Sequence, residues 1–262
     1  MDKGSLKPSE ARKLFREEKY IGYTAGWCRG YTQAGLVVLE EEDAFDFLLF
    51  CSRNPKPCPI LDVTEIGSPD PRGIAPNADI RYDLPCYNVY KYGESVEEPR
   101  NIESYWNDSM VAFMIGCSFS FEDALLKAGI PLGHIDAGTN TGVYNTNIEC
   151  RSAGKFSGNM AVSMRPIPGK LVARAVTITS RLPNVHGAPV FIGDPRDIGI
   201  KNLYEPEWGD PPIMNPGDVP VFWACSITPQ VVAINSKPKI MITHLSANMF
   251  ISDVPAESLS IF

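Results

Sequence analysis

The stretch FMIGCSFSFEDALLKAG, Phe113–Gly129, decides the fold. With the preceding residues it begins as MVAFMIG, apolar on both faces, which is the pattern of a central strand in a covered sheet. Cys117, Ser118 and Ser120 then form a small polar cluster, and a helical pattern runs from Phe121 to Ala128 before Gly129 stops it. A buried strand that turns sharply into a helix predicts an α/β protein. The pattern recurs: MIGCSFSFE (Met114–Glu122) aligns with FWACSITPQ (Phe222–Gln230), each an apolar strand, a small residue, Cys-Ser, one apolar residue and then Ser or Thr. Ser120 and Thr228 are expected to cap the two helices, with Pro229 in the first helical turn, where its missing N–H costs nothing.

Working outward, Pro8 to Lys19 reads as a surface helix capped by Ser9. Gly22, Gly26, Gly30 and Gly35 break the next segment into loops before the strand-like LVVL. EEEDAFDFLLFCSRN has acids in its first turn and apolar residues at helical spacing. A strand follows at Ile60 to Val63. Ile80, Tyr82 and Leu84 alternate, as do Tyr87, Val89 and Lys91, which predicts short strands. HIDAG, GVYNTNI and GNMAVSMRP read as three strands and KLVARAVTITSRL as a helix. The expected architecture is a mixed sheet flanked by helices, built from residues 1–130 and 183–262. A smaller α+β domain at 131–182 is inserted into it.

Composition narrows the function. The net charge of −7 argues against nucleic-acid binding, which needs a basic surface, while leaving room for a locally positive pocket. No apolar run approaches the roughly 20 residues that span a bilayer. The charged N-terminus does not read as a signal peptide. Seven scattered cysteines without a CxxC pair suit a reducing compartment, so a cytoplasmic protein is expected. There is no GxGxxG or Walker sequence, and Cys51 and Cys58 stand outside usual zinc spacing. Neither cofactor nor metal is expected.

Ordered along the chain, TAGWCRGYTQAGLVVL, FCSRNPKPCPILDV, IRYDLPCYNVYKYGE, FMIGCSFSFEDALLKAGIP, YNTNI, SMRP, HGAPVFIGDP and VPVFWACSITPQ resemble the hydro-lyase family that includes the D-glutamate cyclase domain. The resemblance runs from about Gly22 to Asp253. It implies a two-part α/β fold, a homodimer, and conversion of D-glutamate to 5-oxo-D-proline with loss of water. The chain departs from the family pattern in having Gly35 for Asn, Cys86 or Asn88 for a basic residue, and Phe191 for a second His.

Ring closure requires two carboxylates to be held, an amine to attack and a water to leave. Arg165 in SMRP is expected to clamp a carboxylate, with Arg53 and Asn54 on the proline-fixed loop as further ligands. His186, with Asp194 nearby in sequence, is the expected general acid–base. His244, at the end of an apolar strand, is a substrate-binding candidate. Glu122 is the alternative base, and Cys117 a candidate nucleophile. The amides near Cys117, Ser118, Cys225 and Ser226 are expected to hold an oxyanion, since helix N-termini attract negative charge. His134 reads as part of a surface turn. Three readings remain open: cyclising dehydration, hydration or dehydration at carbon, and a non-catalytic carboxylate binder. The bland alternative for both Cys-Ser corners is an ordinary turn with a buried thiol.

Overall fold

The computed structural model describes residues 2–261. In chain order the elements are α1 (Pro8–Arg16), β1 (Tyr31–Glu40), α2 (Glu41–Arg53), β2 (Ile60–Val63), β3 (Tyr87–Lys91), β4 (Glu94–Glu97) and β5 (Met110–Gly116). They continue with α3 (Phe119–Lys127), α4 (Gly133–Ala137), β6 (Val143–Glu149), β7 (Asn159–Pro168), α5 (Val172–Ser180), β8 (Phe191–Ile192), β9 (Asp218–Ala224), α6 (Thr228–Ser236), β10 (Met241–His244) and β11 (Phe250–Pro255).

These strands form two sheets. The larger runs β2-β5-β1-β10-β3-β4, with β11 also paired to β1; the smaller runs β6-β7-β9-β8. Every pairing in both is antiparallel, so the expected mixed sheet is corrected. The strand–helix alternation suggested parallel crossovers, but neither Cys-Ser helix returns the chain to its own sheet. After α3 the chain passes to β6, and after α6 it passes from the smaller sheet to the larger. The smaller sheet also takes β8 and β9 from beyond Leu182, so it extends outside the 131–182 segment.

β5 is central, as its composition requires: all seven residues are buried, between β2 and β1. One face of the larger sheet packs Leu36, Val38, Ala112 and Met114 under Ile74, Ile80, Leu84 and Ile102. The Ile80–Leu84 segment is turn rather than strand. Its alternation reflects side chains covering the sheet, not pairing within it. The other face packs Val37, Phe113 and Met241 against Phe47 and Phe50 of α2 and Val232 and Ala233 of α6. Phe121 and Leu125 of α3 pack with Val221 and Trp223 of the smaller sheet.

Other local expectations change. Gly35 lies inside β1, not in a loop. HIDAG falls in a helix instead of a strand: α4 is the single turn Gly133–Ala137, closed by Gly138 in the left-handed region. Lys7, not Ser9, precedes α1, and the Glu10 carboxylate accepts its N–H.

Candidate functional site

Both Cys-Ser corners are built the same way. The Cys117 N–H donates to the Gln33 carbonyl of β1, and the Cys225 N–H to the Ala161 carbonyl of β7, each at 3.0 Å. Ser120 Oγ accepts the Gln33 N–H at 2.9 Å and donates to the Gln33 carbonyl at 3.2 Å. Thr228 Oγ1 accepts the Ala161 N–H at 3.1 Å and donates to the Cys225 carbonyl at 2.8 Å. Neither hydroxyl caps its helix, contrary to expectation. Each stands three residues past its cysteine and accepts an N–H from the neighbouring strand. The short sequence echo is thus a repeated hydrogen-bonding device, one copy per sheet.

The two corners meet. Cys117, Ser118, Cys225 and Ser226 line one small pocket with Ser163 and His244. The cavity has a volume of about 20 Å³, with Phe119, Ala247 and Met249 as part of its apolar wall. It lies between the two sheets rather than along the edge of one, so the crevice rule for open parallel sheets does not describe it.

Its lining contains no Asp, Glu, Lys or Arg. Its surface is largely apolar, and the polar residues that border it are uncharged. Among the described residues the N–H groups of Ser118 and Ser226 make no backbone hydrogen bond, as befits positions that precede a helix. His244 is 1% exposed, and its Nδ1 accepts the Leu36 N–H at 3.1 Å. That bond places the proton of the neutral ring on Nε2, which has no partner. The ring fills a gap left along β1, where β11 pairs up to Ala34 and β10 begins at Val37. Burial holds the His244 pKa down to about 4, so at neutral pH the ring is an uncharged donor.

Arg165 stands one layer behind. It is wholly buried, and its Nη1 donates to Ser163 Oγ at 3.1 Å and its Nη2 to Ser118 Oγ at 3.0 Å. Each serine oxygen accepts from the guanidinium, which leaves its own O–H to point elsewhere. Glu122 takes the adjoining edge and shares Nη2 with Ser118: Nε and Nη2 donate to Oε1 at 2.9 and 2.6 Å. His134 Nε2 meets the same oxygen at 2.9 Å, so His134 is an interior residue and not part of a surface turn. Burial pushes the Glu122 pKa up, but the charges of His134 and Arg165 outweigh it and hold the carboxyl below its ordinary value. Glu122 therefore stays ionised, outside the cavity, as the counter-ion of Arg165.

The remaining expected residues lie elsewhere. His186 lines a separate cleft beside Lys56, and its Nδ1 faces the Lys56 carbonyl at 2.9 Å. Asp194 pairs with Arg196, not with His186. Asn54 is used fully in joining α2 to the Arg151 backbone, and Arg53 donates to the Ser152 carbonyl. Burial raises the Cys117 thiol far above its usual range and the Cys225 thiol to about 11, which leaves both protonated and poorly suited to attack. Ser163 was missed by sequence reasoning. Its signal was present, because a strand's period of two puts Ser163 and Arg165 on one face. Asn140, Thr141 and Ser246 also line the cavity and carried no such signal.

The model of the D-glutamate cyclase family matches residues 111–253, a span that contains both corners, Arg165 and His244. Relatives named "Putative hydro-lyase" match nearly end to end. One from Thermoanaerobacter sp. (strain X514) is 59% identical over 98% of this chain and 97% of its own. One from Bacillus subtilis (strain 168) is 55% identical over 98% of this chain and 100% of its own. A solved nitrogen repressor-like protein from Methanococcus jannaschii covers 91% of this chain and 92% of its own, but at 11% identity and a TM-score of 0.40 it bears on nothing here. The chain belongs to the hydro-lyase family that carries the D-glutamate cyclase domain.

Proposed function

We propose that this protein closes D-glutamate to 5-oxo-D-proline with release of water, and that the cavity between the two corners is where the ring forms. The observation that carries the reading is a cavity that brings both Cys-Ser corners together with Ser163 and His244 and has no carboxylate among its lining residues. Such a lining suits an anion and the oxyanion of a tetrahedral intermediate.

The proton count fits as well. The ammonium group loses two protons as the new C–N bond forms, and the departing γ-carboxyl oxygen gains two as it leaves as water. The enzyme gains and loses none overall. A site without a group that titrates near neutrality can therefore support the reaction, with cavity hydroxyls relaying protons. Elimination of water at carbon instead requires a base to take a proton from carbon, and addition requires an acid to return one to it. The cavity thiols and the His244 ring are poorly matched to that task. A five-carbon acid is larger than the cavity, so binding entails outward movement of the wall formed by Phe119, Ala247 and Met249.

The test is incubation of the purified protein with D-glutamate and with L-glutamate, followed by product mass. Loss of one water from the D-isomer is expected. Hydration of unsaturated dicarboxylates without action on D-glutamate would replace this reading with the carbon–oxygen alternative. Thermal stabilisation by D-glutamate without any product would leave a binding protein.

A further inference from the structure

The two corners are copies, yet they are not equivalent, and the geometry points to a fixed polarity for the guest. The Cys117–Ser118 corner holds the carboxylate that keeps its charge throughout, and the Cys225–Ser226 corner receives the carboxyl group that loses its oxygen. This inference rests on the cyclase reading and deepens it.

The asymmetry follows from the register. Cys117 bonds to Gln33 as Cys225 bonds to Ala161. Two residues further along each partner strand, Gly35 on β1 therefore corresponds to Ser163 on β7. Four residues along, Val37 corresponds to Arg165. The copy on β7 supplies a hydroxyl and a guanidinium, and both act on the first corner, because Arg165 bridges Ser163 and Ser118. The copy on β1 supplies neither. A Cβ at Gly35 would lie 2.8 Å from His244 Cε1, 2.9 Å from Ser226 Cβ and 3.0 Å from Ser226 Oγ. The missing side chain makes room for the imidazole beside the second corner.

One half of the cavity is thus backed by a cation, whose Nη1 serves Ser163 and whose Nη2 is shared between Ser118 and the counter-ion Glu122. The other half offers a neutral ring N–H. The α-carboxylate of D-glutamate is anionic in substrate, transition state and product, and matches the permanently charged side. The γ-carboxyl passes from anion through a tetrahedral oxyanion to an uncharged lactam carbonyl. A fixed cation beside it would stabilise the starting carboxylate and resist that loss of charge. A neutral donor aimed at the oxygen avoids the penalty, because only interactions stronger in the transition state speed the reaction. Arg165 is a positioning residue here, acting through Ser118 and Ser163.

The experiment compares Ser163→Ala with His244→Gln, and uses Ser118→Ala and Ser226→Ala as second members of each pair should either first variant fold poorly. With D-glutamate, the first-corner variants are expected to act mainly on KM and to weaken 5-oxo-D-proline binding by about ten-fold. The second-corner variants are expected to act mainly on kcat, by about a hundred-fold. 4-Aminobutyrate, which keeps the amine and reacting carboxyl but lacks the α-carboxylate, should be insensitive to Ser163→Ala. The opposite split, or equal effects on KM and kcat from both corners, would overturn the polarity while leaving cyclisation standing. If D-glutamate is not turned over at all, the cyclase reading fails separately. Propanoate binding by NMR titration then decides the corner: loss confined to Ser163→Ala supports the assignment, and loss in His244→Gln alone or equally in both overturns it.

Discussion

At the scale of single residues, the two histidines that the fold buries neutral make acid stability a direct readout of their placement. His186 and His244 are both held down to about 4 by burial, against an ordinary value of 6.5. A folded-state pKa below the unfolded one means that acid favours the unfolded chain. Above about pH 7.5 neither state is protonated and the two histidines have no effect on stability. As pH falls through 6.5 toward 4, the unfolded chain binds protons that the folded one refuses. Stability then drops by about 1.4 kcal/mol per pH unit for each histidine, up to about 3 kcal/mol apiece. Urea denaturation at pH 7.5, 6.0 and 5.0 should show this loss. A His186→Asn/His244→Gln double variant should flatten the slope in that window, since the paired carboxylates Glu122 and Asp194 lose their charge only at lower pH. An undiminished slope in the double variant would mean that the two rings are not buried neutral in solution.

At the scale of elements, the Ser120 and Thr228 hydroxyls work as hinges between strand and corner. Both are buried and each makes more than one hydrogen bond to the backbone around its corner. Ser120→Ala and Thr228→Val should each cost about 1–3 kcal/mol by leaving buried backbone groups unsatisfied. Because the two hydroxyls share no partner, one bonding to Gln33 and the other to Ala161 and Cys225, the double variant should lose close to the sum. Chemical denaturation checks this; a cost below half a kcal/mol at either site would mean that the hydroxyl is incidental. The same corners show how much was legible beforehand. MVAFMIG was readable as a central strand because it is apolar on both faces, and α2, α5 and α6 were readable from periodicity and punctuation. The repeat of Cys-Ser was visible, but its partners on β1 and β7 were not, since nothing local encodes which strand lies alongside. Antiparallel pairing was hidden for the same reason: alternating strands and helices look alike whether the chain returns to its own sheet or crosses to another. His186 drew attention because Gly187 and Asp194 surround it in sequence. His244 was the weaker candidate by context, yet it alone of the two reaches the cavity, placed there by a gap in strand pairing that only the folded register reveals.

At the scale of the whole molecule, the corners exchange helices between sheets. β5 of the larger sheet leads into α3, whose Phe121 packs on Trp223 of the smaller sheet with ring centroids 5.5 Å apart. β9 of the smaller sheet leads into α6, whose Val232 and Ala233 pack beneath Met241 of the larger. The cavity sits where the two crossings meet, so a guest that touches both corners ties the sheets together from within. Gly116 shows how little slack the first crossing has: a Cβ there would fall 1.9 Å from the Asn184 carbonyl oxygen, so β5 must end on a glycine where it passes the chain leading to His186. This arrangement makes a prediction that separates a bridging guest from one bound at a single corner. Among the described residues the amides of Ser118 and Ser226 have no backbone acceptor, and they should exchange with solvent deuterium faster than the amides of Cys117 and Cys225, which bond to the adjacent strands. On saturation with 5-oxo-D-proline both pairs should slow together, the serine amides because they acquire the guest as acceptor and the cysteine amides because opening either corner would now release the ligand. The cleft beside His186 should keep its rate, since it lies outside the shared cavity. Protection confined to one corner would show that the guest spans no crossing, and protection centred on Lys56 and His186 would move the site to the other cleft altogether.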